Sequence, residues 1–318
     1  MNQKQLYDSY QQEKGEFHHY IDNVKRSSPW DVYTIINPTL IKNPYASSLP
    51  KSFFLNNVRQ VNNTVLFIKN LLKFYLKNSY LLVSYLIAFV IYKLYYKKKR
   101  TSSLKIVIDI FGLVDKTNKS GEFNENYLTG VYKLFEKHNT GYAILLRPYG
   151  VARNPFKLRR FFKIINQDKR DFIFEYELLK TRDLFTLFGL IFLYPFKTLR
   201  LLQKENSERD KIFNQSLLSD IKYFSFDGLT RYILGKHLAE INSMEKIFSW
   251  SEFQVIERSF NYAIRKNSHK IKLKALQFYL NYEVYFNSYV DDLDDDMLSA
   301  PHEIFVNGKY YIQNRERV

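Results

Sequence analysis

Cysteine is absent from all 318 residues, which excludes disulfides, thiolate metal sites and cysteine nucleophiles and fits a reducing compartment. Glycine and proline are scarce, at 10 and 8 residues, so flexible linkers and Gly-rich phosphate loops have little to be built from. No Walker lysine loop, G-x-G-x-x-G, G-x-S-x-G or zinc-ligand spacing occurs. The opening stretch MNQKQLYDSYQQEKGEFHHY contains no apolar h-region, so a cleaved signal peptide is not expected there.

What the chain has in quantity is aromatic residues, 26 Tyr and 27 Phe, and positive charge, formally +16. The length suffices for a real core in one large or two ordinary domains. A balance this basic suits an anionic membrane surface, nucleic acid or a phosphorylated substrate. Much of the charge adjoins apolar segments and no nucleic-acid motif is present, so nucleic acid is the weakest of the three.

Three regions follow from composition. Residues 1–63 are polar and carry Pro29, Pro38, Pro44 and Pro50, each of which disfavours helix at the residue before it. They are expected to form an extended arm whose Trp30, Tyr33, Ile35 and Ile36 dock on the rest. Residues 64–100 are the most apolar stretch, with no charge between Asn78 and Tyr92. The uncharged core extended to Tyr96 matches about 19 helical residues, close to the ~20 that cross a hydrocarbon layer. Lys69, Lys73 and Lys77 recur along one helical face, and Lys97, Lys98, Lys99 and Arg100 follow directly, a pattern suited to an anionic cytoplasmic surface. Membrane contact is expected, and a single span and a helix lying on the surface both stay open. A buried core helix is the competing reading.

Residues 101–318 alternate apolar strands with helices. Strands are expected at 104–112, 142–146, 171–176, 246–249, 271–279 and 304–311, and their continuous apolar character predicts an α/β fold, a Rossmann-like parallel sheet flanked by helices. Asn124 is expected to cap a helix with Tyr127, Leu128, Val131, Leu134 and Phe135 on its apolar face, ended near Gly141. Residues 183–202 predict a second strongly apolar helix, broken near Pro195. In 246–279, Ser251 and Gln254 have capping-box spacing, Trp250 and Val255 the spacing of a hydrophobic staple, and Phe253 starts the apolar face of the helix that follows.

GEFNENYLTGVYKLFEKHNTGYAILL at 121–146, W-x-E-x-Q at Trp250, Glu252 and Gln254 followed by ERSFNYAIR, and P-x-E-I-x-V-N-G at 301–308 together resemble bacterial enzymes of surface-polysaccharide assembly. These are two-domain glycosyltransferases of the GT-B type acting on O-antigen or capsule precursors. The resemblance implies a protein at the cytoplasmic face of the bacterial inner membrane, peripheral or single-pass. It implies transfer, or help in transfer, of a sugar from a nucleotide sugar to a lipid-linked or glycan acceptor, with no cofactor beyond that co-substrate. In such enzymes the second domain supplies most of the nucleotide-sugar site. The chain ends about where that domain should begin, so the resemblance leaves three expectations open: half of a split enzyme with a separately encoded C-terminal domain, a truncated product, or a degenerate subunit, each of them inactive alone. The alternative is a non-catalytic membrane scaffold or partner subunit of a polysaccharide-assembly complex.

Glycosyl transfer needs a base for the acceptor hydroxyl and positive charge for the leaving diphosphate. Glu252, where a strand hands over to a helix, is the candidate base, although a first-turn carboxylate also simply suits a helix dipole. Arg147, at the end of a buried strand, is a candidate phosphate ligand, with Trp250, Gln254 and Arg258 in reach of the same ligand. Asp292 and Asp294 have D-x-D spacing, but an acidic loop is ordinarily solvated, and no metal site is expected.

Overall fold

The computed structural model describes residues 3–42, 47–56, 62–98, 104–113, 123, 128–149, 154–277 and 290–306, and backbone alone for 3–12. Six strands form one sheet: β1 (Ile106–Leu113), β2 (Ala143–Tyr149), β3 (Phe172–Ile173), β4 (Lys246–Trp250), β5 (Lys272–Gln277) and β6 (Glu303–Val306). Every pairing is parallel and the order is β3-β2-β1-β4-β5-β6, that of a doubly wound, Rossmann-like sheet. The six expected strands are thus all present, though the third stops at Ile173 and Glu175 already opens a helix. The parts of the fifth and sixth expected beyond Gln277 and Val306 lie outside the described residues.

The helices are α1 (Gln3–Arg26), α2 (Val32–Ile35), α3 (Leu49–Phe54), α4 (Asn63–Tyr95), α5 (Thr129–Lys137), α6 (Pro155–Ile165), α7 (Glu175–Leu178), α8 (Thr181–Thr198), α9 (Glu208–Asp220), α10 (Phe226–Ala239), α11 (Val255–Asn267) and α12 (Asp292–Asp296). Side-chain alternation along the strands sorts them. Ile108, Ile110, Ile144, Leu146 and Phe172 share a core with Phe74 and Tyr92 of α4, Tyr132 of α5 and Phe162 of α6. Val107, Ala143, Leu145, Ile173 and Ile247 point the other way, toward Leu234 and Leu238 of α10 and Phe260 and Ile264 of α11. Period-2 alternation thus gives the central strands β1 and β2 two apolar faces, both covered, whereas edge strand β6 stays partly open, with Phe305 exposed. A third cluster, with Phe17, Leu49, Phe53, Ile212 and Phe213, joins α1, α3 and α9.

The N-terminal region corrects the expectation of an extended arm, because α1 runs for 24 residues. Its prolines all lie beyond Arg26, and Pro50 sits in the first turn of α3, where a missing N–H costs nothing. Ile35 and Ile36 are buried as expected, while Trp30 stays exposed and its carbonyl accepts the Tyr262 hydroxyl at 3.0 Å. The apolar helix α4 is therefore preceded by three helices rather than lying near the N-terminus.

Several local positions also differ from the expectation. On α5, Tyr132 takes the inner position and Leu134 is exposed; Asn139 (φ 48°), not Gly141, takes the left-handed turn. The cap expected at Asn124 lies outside the described residues. In α8, Pro195 is accommodated inside a continuous helix, with Leu187, Ile191 and Tyr194 buried. At α11 the cap moves three residues on: Gln254 is the N-cap and Glu257 its partner, the Glu257 carboxylate accepting the Gln254 amide at 2.8 Å. Phe253 is not helical; its φ of 53° turns the chain from β4 into α11 and its ring is buried. Because β4 runs through Trp250, Val255 stands at the first helical position and no staple of the expected spacing forms.

Candidate site at the switch point of the sheet

The strand order reverses between β1 and β4, and the crevice outside the carboxyl ends of those strands is where doubly wound sheets place ligands. Here the crevice is lined by Asp109 and Phe111 of β1, Arg147 of β2, Arg231 of α10, Trp250 of β4 and Glu257 of α11. These six side chains come from five elements spread over the chain, so the site exists only in the folded protein.

Its floor is a locked ion pair. Asp109 interrupts the apolar run of β1 on the face that meets α10, and Arg231 grips it with both guanidinium nitrogens, one at 2.9 Å. The Ser249 hydroxyl donates to the same carboxylate at 2.6 Å. Arg231 also lies 3.9 Å over the Phe260 ring, which suits a weakly hydrated, delocalised cation. The Nε of Arg231 has no hydrogen-bond partner among the described residues.

Above this floor the charges are less settled. Glu257 is buried, and loss of water pushes its carboxyl up to about 7, while Arg147, the Gln254 amide and Arg231 pull it back and Glu252 adds to the rise. Glu175, at the start of α7, is pushed up to about 7 as well, by burial first and the neighbouring charge of Asp227 second, against the pull of Arg147 and Arg231. Arg147 is half-buried, and its guanidinium makes no direct ion pair or hydrogen bond among the described residues. Two carboxyls raised toward neutrality beside a guanidinium that is unpaired among the described residues are what a site needs to move a proton near an anion.

Of the residues singled out in the sequence, Arg147 and Trp250 line the crevice, and Glu252 stands at its edge, accepting the Trp250 indole N–H at 3.4 Å. Gln254 caps α11 and faces a neighbouring groove that shares Ile256 with the crevice and runs past Asp227 to Lys77 and Leu81 of α4. Arg258 points away. Its Nε donates to the Phe253 carbonyl at 2.9 Å and its guanidinium pairs with buried Asp294. That pair also changes the reading of the D-x-D run: Asp294 is not solvated but enclosed by Arg258 and Lys25, the latter at 3.5 Å. Among the described residues no group of three His, Asp or Glu is placed to hold a metal.

Lys69, Lys73 and Lys77 are exposed on α4, and Lys97 is exposed just past its end. Lys98 is turned inward, donating to the carbonyls of Asp168, at 2.6 Å, and Arg170. Lys99 and Arg100 lie outside the described residues.

Sequence reasoning missed Asp109, Arg231, Glu175 and Glu257. The signal for Asp109 was present: a lone carboxylate inside the apolar run IVIDIF has to find a buried partner. No protein-family model, curated protein or solved structure matches the chain. The class that can be stated from the fold is a doubly wound α/β protein with a charged crevice at its switch point.

Proposed function

We propose that the chain is a glycosyltransferase-like protein of bacterial surface-polysaccharide assembly, working at the cytoplasmic face of the inner membrane. The observation that carries this reading is the switch-point crevice, where Arg147, whose guanidinium makes no ion pair among the described residues, lines the same pocket as the elevated carboxyl of Glu257. In the proposed transfer, an acceptor hydroxyl gives its proton to Glu257 as its oxygen bonds to the anomeric carbon of the donor. The bond from that carbon to the diphosphate breaks, and Arg147 meets the departing negative charge. Glu252, the candidate from the sequence, sits at the edge and orients hydroxyls beside the Trp250 ring. The groove from Ile256 to Lys77 gives a lipid-linked acceptor a route from α4 to the crevice.

A second reading, a non-catalytic membrane subunit, draws support from the Asp109–Arg231 pair, which fills the depth of the crevice with protein charge. The test is thermal unfolding of the full chain against nucleoside diphosphates and nucleotide sugars, repeated with any separately encoded partner. A ligand that binds only the folded state raises the melting temperature by mass action. A rise that Arg147→Ala removes supports the transferase. No rise in either setting leaves the scaffold.

A further inference from the structure

The outer face of α4 is apolar along its whole length. Val65, Ile68, Leu72, Leu76, Val83 and Val90 recur every three to seven residues and are at least half exposed, Leu76 to 74%. The opposite face of the same helix, with Phe74, Leu81, Tyr85, Ala88 and Ile91, is packed in the core. A core helix would be buried on most sides, yet only 33% of the most apolar window of α4 is buried. Its neighbour α8 behaves alike: Phe185, Phe188, Phe192 and Phe196 are exposed, Phe185 to 75%. The two helices meet, since the Tyr75 hydroxyl donates to the Phe192 carbonyl at 2.9 Å and their rings lie 6.1 Å apart. Their exposed rows therefore belong to one surface, and apolar patches that large mark an interaction site.

Charge indicates the occupant. Lys69 and Lys73 stand beside the row at one end of α4, and Lys93, Lys97, Arg159 and Arg160 are exposed at the other, Arg159 lying 4.8 Å over the Tyr95 ring. A basic rim around an apolar centre matches anionic headgroups over acyl chains, and it opposes a second copy of a chain whose formal charge is +16.

We propose that α4 and α8 form one docking face that lies in the plane of an anionic lipid bilayer, sunk to the depth of the acyl boundary, with neither helix crossing it. This rests on the membrane reading above and decides between its two modes. A helix of 33 residues is about 50 Å long at ~1.5 Å per residue, and a span would require its inner face to leave the sheet.

The absence of native cysteine makes the test direct. Single cysteines at Ile68, Leu72, Leu76, Val83 and Val90, with Lys69 and Lys73 as outward controls, carry a nitroxide in the full chain mixed with phosphatidylcholine/phosphatidylglycerol vesicles. In-plane docking predicts that the apolar positions all become accessible to oxygen at one similar depth while the lysine positions stay accessible to a water-soluble quencher. It also predicts at least tenfold weaker flotation with pure phosphatidylcholine, or with Lys69, Lys73 and Lys77 all changed to Glu. Depth that rises and falls once along α4 would mean a span and overturn the proposal. So would unchanged label accessibility on adding vesicles, or spin–spin broadening without lipid, which would mean a second copy covers the face. Nucleotide thermal shifts measured without vesicles report on the crevice separately, so either reading can fail alone.

Discussion

Two buried charge clusters in this molecule use the same residue types to opposite ends. One joins the N-terminal helices to the far edge of the sheet: Arg258 and Lys25 enclose Asp294, and Lys42 pairs with Asp291 at 3.3 Å and Asp22 at 3.7 Å. The other lies at the switch point. In the first, Arg258, Lys25 and Lys42 outweigh the cost of burial and hold the Asp294 carboxyl well below the usual range. In the second, burial outweighs the arginines and lifts Glu257 and Glu175 to about 7. The first cluster has its charges paired with one another; the second, with raised carboxyls and an arginine unpaired among the described residues, leaves a ligand something to meet. The difference is one of cation number and reach, since Arg231 is already taken by Asp109.

The two clusters should also respond to pH with opposite signs. A carboxyl near 7 in the folded chain and near 4.5 when unfolded holds a proton that the unfolded chain has lost in that window. Its contribution is full below about 4.5 and disappears as pH rises through about 7. Asp294 behaves in reverse, its contribution present above the unfolded value of 3.8 and lost as pH falls through the depressed one. His18, lowered to about 3 by burial and by Lys42, adds to the acid weakness of the joint, its contribution lost from 6.5 downward.

The same change, acid to amide, therefore separates them. Asp294→Asn should give the largest effect, a loss of ~3–5 kcal/mol in denaturant unfolding at neutral pH, because Arg258 and Lys25 keep their buried charge without its partner. Glu257→Gln should do the contrary. At pH 8 it should gain up to ~3 kcal/mol over the parent chain, and at pH 5 little, since the amide can still accept the Gln254 N–H. His18→Gln should reduce the loss of stability between pH 6.5 and 4, read as a smaller drop in melting temperature than the parent shows. The smallest effect is expected for Arg147→Ala, within ~0.5 kcal/mol by denaturant unfolding, because the Arg147 guanidinium has no close pair among the described residues. If Asp294→Asn and Glu257→Gln shifted stability alike, the contrast between the clusters would be broken.

Much of the fold was legible because it is local. YAILL is a continuous apolar run of strand length and IVIDIF one broken only by Asp109, and the order of strands and helices follows from such runs. The first helix was hidden by prolines that belong to the next segment. The start of α11 was misplaced by three residues because Ser251–Gln254 and Gln254–Glu257 satisfy the same spacing, and only the left-handed turn at Phe253 decides between them. The site was legible in part. Trp250 ends β4 and Arg147 directly follows the apolar run YAILL within β2, which marks them, whereas Asp109 and Arg231 are 122 residues apart and no local pattern connects them. Glu257 was obscured by the same three-residue shift, and Arg258 was assigned to the ligand side because its partner Asp294 lies in an acidic run that reads as solvated.

The most direct test of the switch-point site is the titration of Glu257 itself, followed by side-chain carboxyl NMR of 13C-glutamate-labelled chain with Glu257→Gln supplying the assignment. The account predicts a midpoint near 7 that moves when a nucleoside diphosphate or nucleotide sugar is added. A midpoint in the ordinary glutamate range, indifferent to every such ligand with or without a partner domain, would contradict it.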